Sequence, residues 1–219
     1  MPVTYRQIAG VSLERLAALS DGIFAVAMTL LVLGLSVQSA SQVASARHLT
    51  EPLTEGQLWD HVLRPLWPHL LTYLMSFLTL GVFWVGQQTQ VNHLRRSNRD
   101  FTWIHLVFLL CVVLMPFSTA LVADYITYQL AIVVYWLNIA LLGALLYAGL
   151  RYARRASLLK DHVTAATVAV MQRRILVYQA LYAVGALLSF ASTYASIGLI
   201  IAVQLNAAIM PRFWILDKF

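Results

Sequence analysis

Six long apolar runs settle what this chain can fold into. They cover roughly Leu16 to Val37, Trp67 to Gln87, Phe101 to Ala123, Ile126 to Leu150, Ile175 to Ala191 and Tyr194 to Met210. Each approaches the roughly 20 residues a helix needs to cross hydrocarbon. In lipid, backbone N–H and C=O groups must be satisfied internally, which makes each run a helix and not an isolated strand. A barrel would show alternating strands of about 10 residues, and these are absent. The expected fold is all-α: one polytopic membrane domain over residues 1–219 with six transmembrane helices. The chain is 11% charged, against about 25% for a soluble domain, so the bilayer has to be its solvent. The first run is long enough to span and shows no early small-residue cleavage site, so it is expected to be retained.

The formal charge of +6 would suggest nucleic acid in a soluble protein. Here the basic residues lie between apolar runs and read as topology signals and contacts to anionic lipid, with no nucleic acid implied. If the N-terminus is inside, so are Arg6, Arg15, Arg95, Arg96, Arg99, Arg151, Arg154, Arg155, Lys160, Arg173, Arg174, Arg212 and Lys218, leaving only Arg47 and Arg64 outside. That places both termini in the cytoplasm, residues 39–65 in an extracytoplasmic loop and residues 151–174 in a cytoplasmic basic loop. The tail of the outer loop, ending at Pro65, suits a short interfacial helix, with Trp59 and Trp67 in an aromatic belt. The single cysteine, Cys111, lies in an apolar run and cannot form an intrachain disulfide.

The first helix opens with Ser20-Asp21-Gly22, which has two readings. One is a helix N-cap, since short side-chain oxygens satisfy free N–H groups. In the other, the helix is continuous from Arg15 and Asp21 lies about 9 Å further along it. An ionised carboxylate inside the membrane domain is costly unless paired. Arg15 sits six residues away, and same-helix pairing needs a spacing of three or four. Asp21 is then expected to find donors on another helix or another subunit.

The run Arg15-x-x-x-Leu19-Ser20-Asp21 resembles the Arg-x-x-x-Phe-Ser-Asp signature of the transmembrane protein 175 family of potassium channels. The stretch "SFLTLGVFWVGQQ" is similar to that family's second helix, and "FTWIHLVFLLCVVLMPFSTALV" to its third, including Pro116 to Thr119. With the later spans, the likeness covers nearly the whole chain. Leu19 stands where the family prefers Phe. Gln87 and Gln88 stand where it often has a His pair, and His105 where Asn is common. Glutamine does not titrate near neutral pH, so a pH response resting on the family histidines has no basis at these two positions.

The resemblance implies a homotetramer in a prokaryotic inner membrane, conducting potassium and needing no cofactor or bound metal beyond the permeating ion. It also implies that first helices from four subunits line the pore. Counted from Asp21, the apolar rings fall at Val26, Leu30 and Leu33, a spacing that keeps them on one helical face. Val26 is smaller than the Ile or Leu usual in the family, which implies a wider constriction. On the residues alone, this stripe reads equally as a lipid-facing or core face, and the polar face with Thr29 and Ser36 would be the one turned toward a conduit. Thr29 lies about 60° from Val26, close enough to flank the ring and influence selectivity.

Around the signature, Gln87, Gln88 and His105 are candidate hydrogen-bond partners for Asp21 and Arg15, and Trp84 and Trp103 are candidates to pack beside them. The bland reading is that the glutamines are simply wet. Pro116 is expected to kink the third span. Gln204 and Asn206 are expected to hydrogen-bond between helices. A rival function is a proton-coupled secondary transporter using Asp21 or His105, although no inverted repeat is visible. The chain has no His-Glu-x-x-His, Gly-x-Ser-x-Gly or phosphate-loop motif, so no enzyme is expected.

Overall fold

A computed structural model describes residues 12–35 and 54–209. The first span is α1 (Leu13–Val32). A short α2 (Glu55–Leu58) leads through a π turn and a 3-10 turn into α3 (Trp67–Asn92). The third span is divided into α4 (Arg99–Val113) and α5 (Met115–Asp124). Then come α6 (Gln129–Arg155), α7 (Ala165–Leu188) and α8 (Thr193–Ile209). The architecture is thus six spans, as the apolar runs require. Four of them are long and apolar enough to cross a membrane on length and composition alone. α7 and α8 fall short of that, α8 through its 17 residues and α7 through Arg173 and Arg174 in its first half.

Helix ends follow local chemistry more than hydrophobicity. Ser12 caps α1, Thr54 caps α2 in a reciprocal box with Gln57, Asn98 caps α4 and Thr164 caps α7. Each gives a side-chain oxygen to a backbone N–H that the first helical turn leaves unpaired. Because Ser12 is the cap, Ser20-Asp21 lies inside a continuous α1 and the N-cap reading falls.

One boundary needs correction. The expected basic loop at 151–174 is largely helical: α6 continues to Arg155 and α7 starts at Ala165, leaving only residues 156–164 as a connection. A charge ends an apolar run but does not end a helix; a cap does. The tail of the expected 39–65 loop is helical from Glu55 and continues through the π and 3-10 turns into α3. Residues 39–53, and Ser36 and Met210 with them, lie outside the described residues. At Pro116 the expected kink is a break at Leu114, because proline supplies no N–H and its ring clashes with the preceding turn.

α6 is the central post, packed by α3, α4, α5 and α7, while α1 lies across α3, α4 and α5. Phe24, Phe83 and Phe108 meet at the crossing of α1, α3 and α4, with ring centroids 6.1 and 6.5 Å apart. The buried face of α3 is polar for most of its length: Thr72, Ser76, Thr79, Gln87 and Gln90 recur at helical spacing with Phe83, all at most 5% exposed. Thr72 donates back to carbonyls of its own helix, at Pro68 and His69, whereas Ser76 and Thr79 reach other helices. Tyr135 of α6 meets Thr79 at 2.8 Å and Ser76 at 3.2 Å. Thr119 of α5 lies 2.6 Å from Ser76, and the Gln204 amide of α8 donates to Thr79. Gln204 thus bonds between helices as expected; Asn206 makes no hydrogen bond with a described residue.

Candidate functional site

α1 divides cleanly into two faces. Leu16, Ser20, Phe24, Ala27 and Leu31 are buried at spacings of three and four, which fixes the helix's rotation against α3, α4 and α5. A second face, about 110° round the helix, carries Leu19, Val26, Leu30 and Leu33. Val26 is 57% exposed, Leu30 41% and Leu33 71%. No described residue of the chain covers this stripe. Thr29 is also exposed, and its hydroxyl donates to the Val26 carbonyl at 2.8 Å. Its only proton is therefore committed to the helix, and its lone pairs are what it offers outward.

Toward the start of α1 the signature residues are anchored by side chains from α3 and α4. The Asp21 carboxylate accepts from the Trp84 indole N–H at 2.9 Å and from the Gln88 amide at 2.6 Å. Both donors are neutral, so the pair orients the carboxylate without cancelling its charge. Ser20, fully buried, donates its hydroxyl proton to the Leu16 carbonyl at 2.8 Å and lies 2.7 Å from Nε2 of His105. With that proton used, the serine oxygen can only accept, so the His105 tautomer carries its proton on Nε2. Gln87 lies 3.5 Å from the same nitrogen with its amide N, while its buried Oε1 has no partner. The imidazole is stacked at 25° on Phe101 and tilted against Phe108.

The structure thus joins Ser20, Asp21, Trp84, Gln87, Gln88 and His105 into one anchor. It leaves two expected members out. Arg15 is exposed, and its side chain makes no ion pair with a described residue; its backbone N–H instead serves the Ser12 cap at 3.3 Å. Trp103 is 58% exposed and hydrogen-bonds to no described residue. Six residues separate Arg15 from Asp21, a spacing that turns their side chains apart, and Trp103 points away from the bundle two residues before His105 points in. Leu19 faces outward with the aliphatic stripe.

Phe108, which packs against His105, was not legible as a site residue. A narrow cleft beside the anchor is lined by Gln90, Ile104, His105, Leu146 and Gly149. A Cβ at Gly149 would come within 2.9 Å of the end of the Gln90 side chain, so this glycine leaves that amide room against α6.

Comparison with known proteins is consistent across three kinds of match. The profile of the family described as the endosomal/lysosomal potassium channel TMEM175 matches residues 15–116. A potassium channel of Chamaesiphon minutus is 30% identical over 190 residues, covering 84% of this chain and 87% of that protein. A potassium channel of Streptomyces collinus is 34% identical over 112 residues; this alignment covers 51% of the present chain and only about half, 48%, of the relative. Among solved structures, the crystal structure of a lysosomal potassium-selective channel TMEM175 homolog from Chamaesiphon minutus superposes with a TM-score of 0.72 at 26% identity. That match covers 90% of this chain and 97% of that one.

Proposed function

Because the chain belongs to the TMEM175 family of potassium channels, we propose that it conducts potassium through a central pore lined by α1 from four identical subunits. Val26, Leu30 and Leu33 form the apolar constriction, and Thr29 lies beside it. The observation that carries this reading is the division of α1: one face is fastened by the Ser20–Asp21 anchor and the aromatic cluster, while the other presents an aliphatic stripe that no described residue of its own subunit covers. A helix held in one rotation presents the same ring of side chains in every subunit.

The physics of such a ring is dehydration. A cation crossing an apolar constriction loses water ligands without gaining protein oxygens, so the ring blocks when narrow and conducts when wide enough to stay wet. Thr29 offers lone pairs one helical step from Val26, a modest compensation for the missing water. The Val26 side chain is short, which favours a wetter inner ring. The placement in a cell inner membrane with both termini cytoplasmic rests on the basic residues gathered at one end of the spans. The transporter reading is not favoured, since the matched relatives are named as channels.

The test is disulfide trapping combined with flux. In a Cys111→Ser background, Leu33→Cys should cross-link between subunits under mild oxidation, and potassium flux through reconstituted liposomes should fall on cross-linking and recover on reduction. A monomer by native mass spectrometry, with no cross-link and unaltered flux, would mean that the stripe meets lipid.

A further inference from the structure

The ends of α3, α4 and α6 on the anchor side of the bundle are tied into a collar. Leu94 and Leu159 form an isolated antiparallel bridge. The Arg95 N–H donates to the Leu158 carbonyl at 2.8 Å, and the Lys160 N–H to the His93 carbonyl at 3.0 Å. α6 closes with Ser157 in the left-handed region, φ 53°, and the Leu158 N–H returning to the Ala153 carbonyl at 3.0 Å. Leu158 then packs with Leu16, Leu94, Phe101 and Ala153 in a second, small apolar core. Asn98 caps α4 and also donates to the Tyr152 hydroxyl, which donates to Asp100. The two connections therefore form one ordered surface without help from a ligand.

The charge on that surface is unbalanced. Residues 93–100 and 151–162 carry seven basic residues and two acids. Both acids are already engaged: Asp161 pairs with Arg95 at 3.3 Å, and Asp100 accepts from Tyr152. Arg96, Arg151, Arg154, Arg155 and Lys160 are exposed and Arg99 is half-buried, and none of the six has an acidic partner among the described residues. The dipole of α6 accounts for cations in its last turn, but not for those that the α3–α4 connection brings alongside. This cluster lies at the ends of apolar spans, the level at which phosphodiester groups of a bilayer sit. Guanidinium groups bind such oxygens in a fork.

We propose that this collar is a binding surface for anionic phospholipid headgroups, and that its occupation steadies the inner end of α1. The link is Leu16, which belongs to α1 and to the collar's apolar core and lies one turn before Ser20 in the anchor. Neutralising the arginines relieves their mutual repulsion and tightens the collar against Leu16. The effect on flux rests on the channel reading above; the binding itself does not.

The experiment uses the full-length protein and two readouts. Phosphatidylglycerol bound to the purified protein is counted by native mass spectrometry, and potassium flux is measured in phosphatidylcholine liposomes with and without phosphatidylglycerol. Each arginine removed should weaken headgroup association about fivefold, and Arg151→Gln, Arg154→Gln and Arg155→Gln together about a hundredfold. The control Arg64→Gln, at the other end of the spans, should leave binding unchanged. Wild-type flux should rise with phosphatidylglycerol and the triple variant's should not. Equal binding by wild type and triple variant overturns the site. Displacement by inorganic phosphate as readily as by phosphatidylglycerol overturns the lipid assignment. Binding with flux that ignores lipid composition overturns the link to α1. Absence of flux in every lipid, with binding intact, overturns the channel reading alone.

Discussion

Two helical faces in this protein treat polarity in opposite ways. The outward face of α1 is aliphatic and bare, with Val26, Leu30 and Leu33 uncovered. The inward face of α3 is hydroxyl- and amide-rich and sealed, with Ser76, Thr79 and Gln87 all but inaccessible. In water this arrangement would be inside out. In hydrocarbon an exposed leucine costs nothing, and helices gain little from hiding one, so association relies on packing and on hydrogen bonds that lipid does not offer. The comparison teaches that α3 is placed by what it bonds to. The placement of α1 is inherited from that frame through Trp84 and Gln88. It also shows why hydrophobicity alone cannot assign the α1 stripe: lipid and a dewetted pore look alike to an aliphatic side chain.

The sharpest way to break the comparison is to charge the bare face. In a lipid-facing stripe, Val26→Asp would cost about 2.5–3.5 kcal/mol, visible as poor insertion and a lowered unfolding midpoint in detergent. In a water-accessible ring that cost largely vanishes, and potassium flux in liposomes should rise well above wild type. The expected outcome is the second: stable protein and raised flux.

The anchor comes next. Asp21→Ala removes the acceptor for two donors, and hydrogen bonds to a charged group are worth about 1.5–3 kcal/mol. A loss of about 2 kcal/mol is expected in chemical unfolding, with fewer tetramers by native mass spectrometry and reduced flux. Asp21→Asn, which keeps one acceptor oxygen, should recover part of the loss. Full assembly and flux in Asp21→Ala would detach α1 from the frame described above.

The smallest effect is expected inside α3. Thr79→Val is nearly isosteric and deletes the oxygen shared by Tyr135 and Gln204. Hydrogen bonds between membrane helices average about 0.6 kcal/mol, so a loss of about 1 kcal/mol is expected in thermal unfolding, with flux almost unchanged. Combining it with Tyr135→Phe should cost less than the sum, because both changes remove the same bond.

The spans were legible because an apolar run long enough to cross a bilayer has few other destinies. Their ends were not: Arg151, Arg154 and Arg155 interrupt hydropathy but continue the helix to Arg155, and the left-handed Ser157 follows just beyond its cap. Asp21's need for donors on another helix followed from the cost of a lone carboxylate in a membrane domain and from the spacing to Arg15. That Trp84 and Gln88 both serve Asp21, while the adjacent Gln87 turns inward to His105, depends on the rotation of α3, which no local pattern states. Trp103 and His105 are two apart on α4, so only one can face the bundle; the burial of Phe101 and Phe108 selects His105. Tyr135 escaped notice because a tyrosine among aliphatics reads as bulk until its hydroxyl is placed beside Ser76 and Thr79.

The unbroken helical run from Glu55 to Asn92 has a mechanical consequence. Its 38 residues amount to roughly 57 Å at 1.5 Å per residue, against a hydrocarbon thickness of about 30 Å. Standing upright, the run would leave about 18 residues clear of the membrane interior. Glu55, Asp60 and Arg64 ride near its tip, while Trp84 and Gln88 near its foot hold the Asp21 carboxylate. Between tip and foot lie the π turn of Trp59–Leu63 and the 3-10 turn of Arg64–Leu66, so the outer charges are joined to the residues that orient α1 by helical turns and not by a loop.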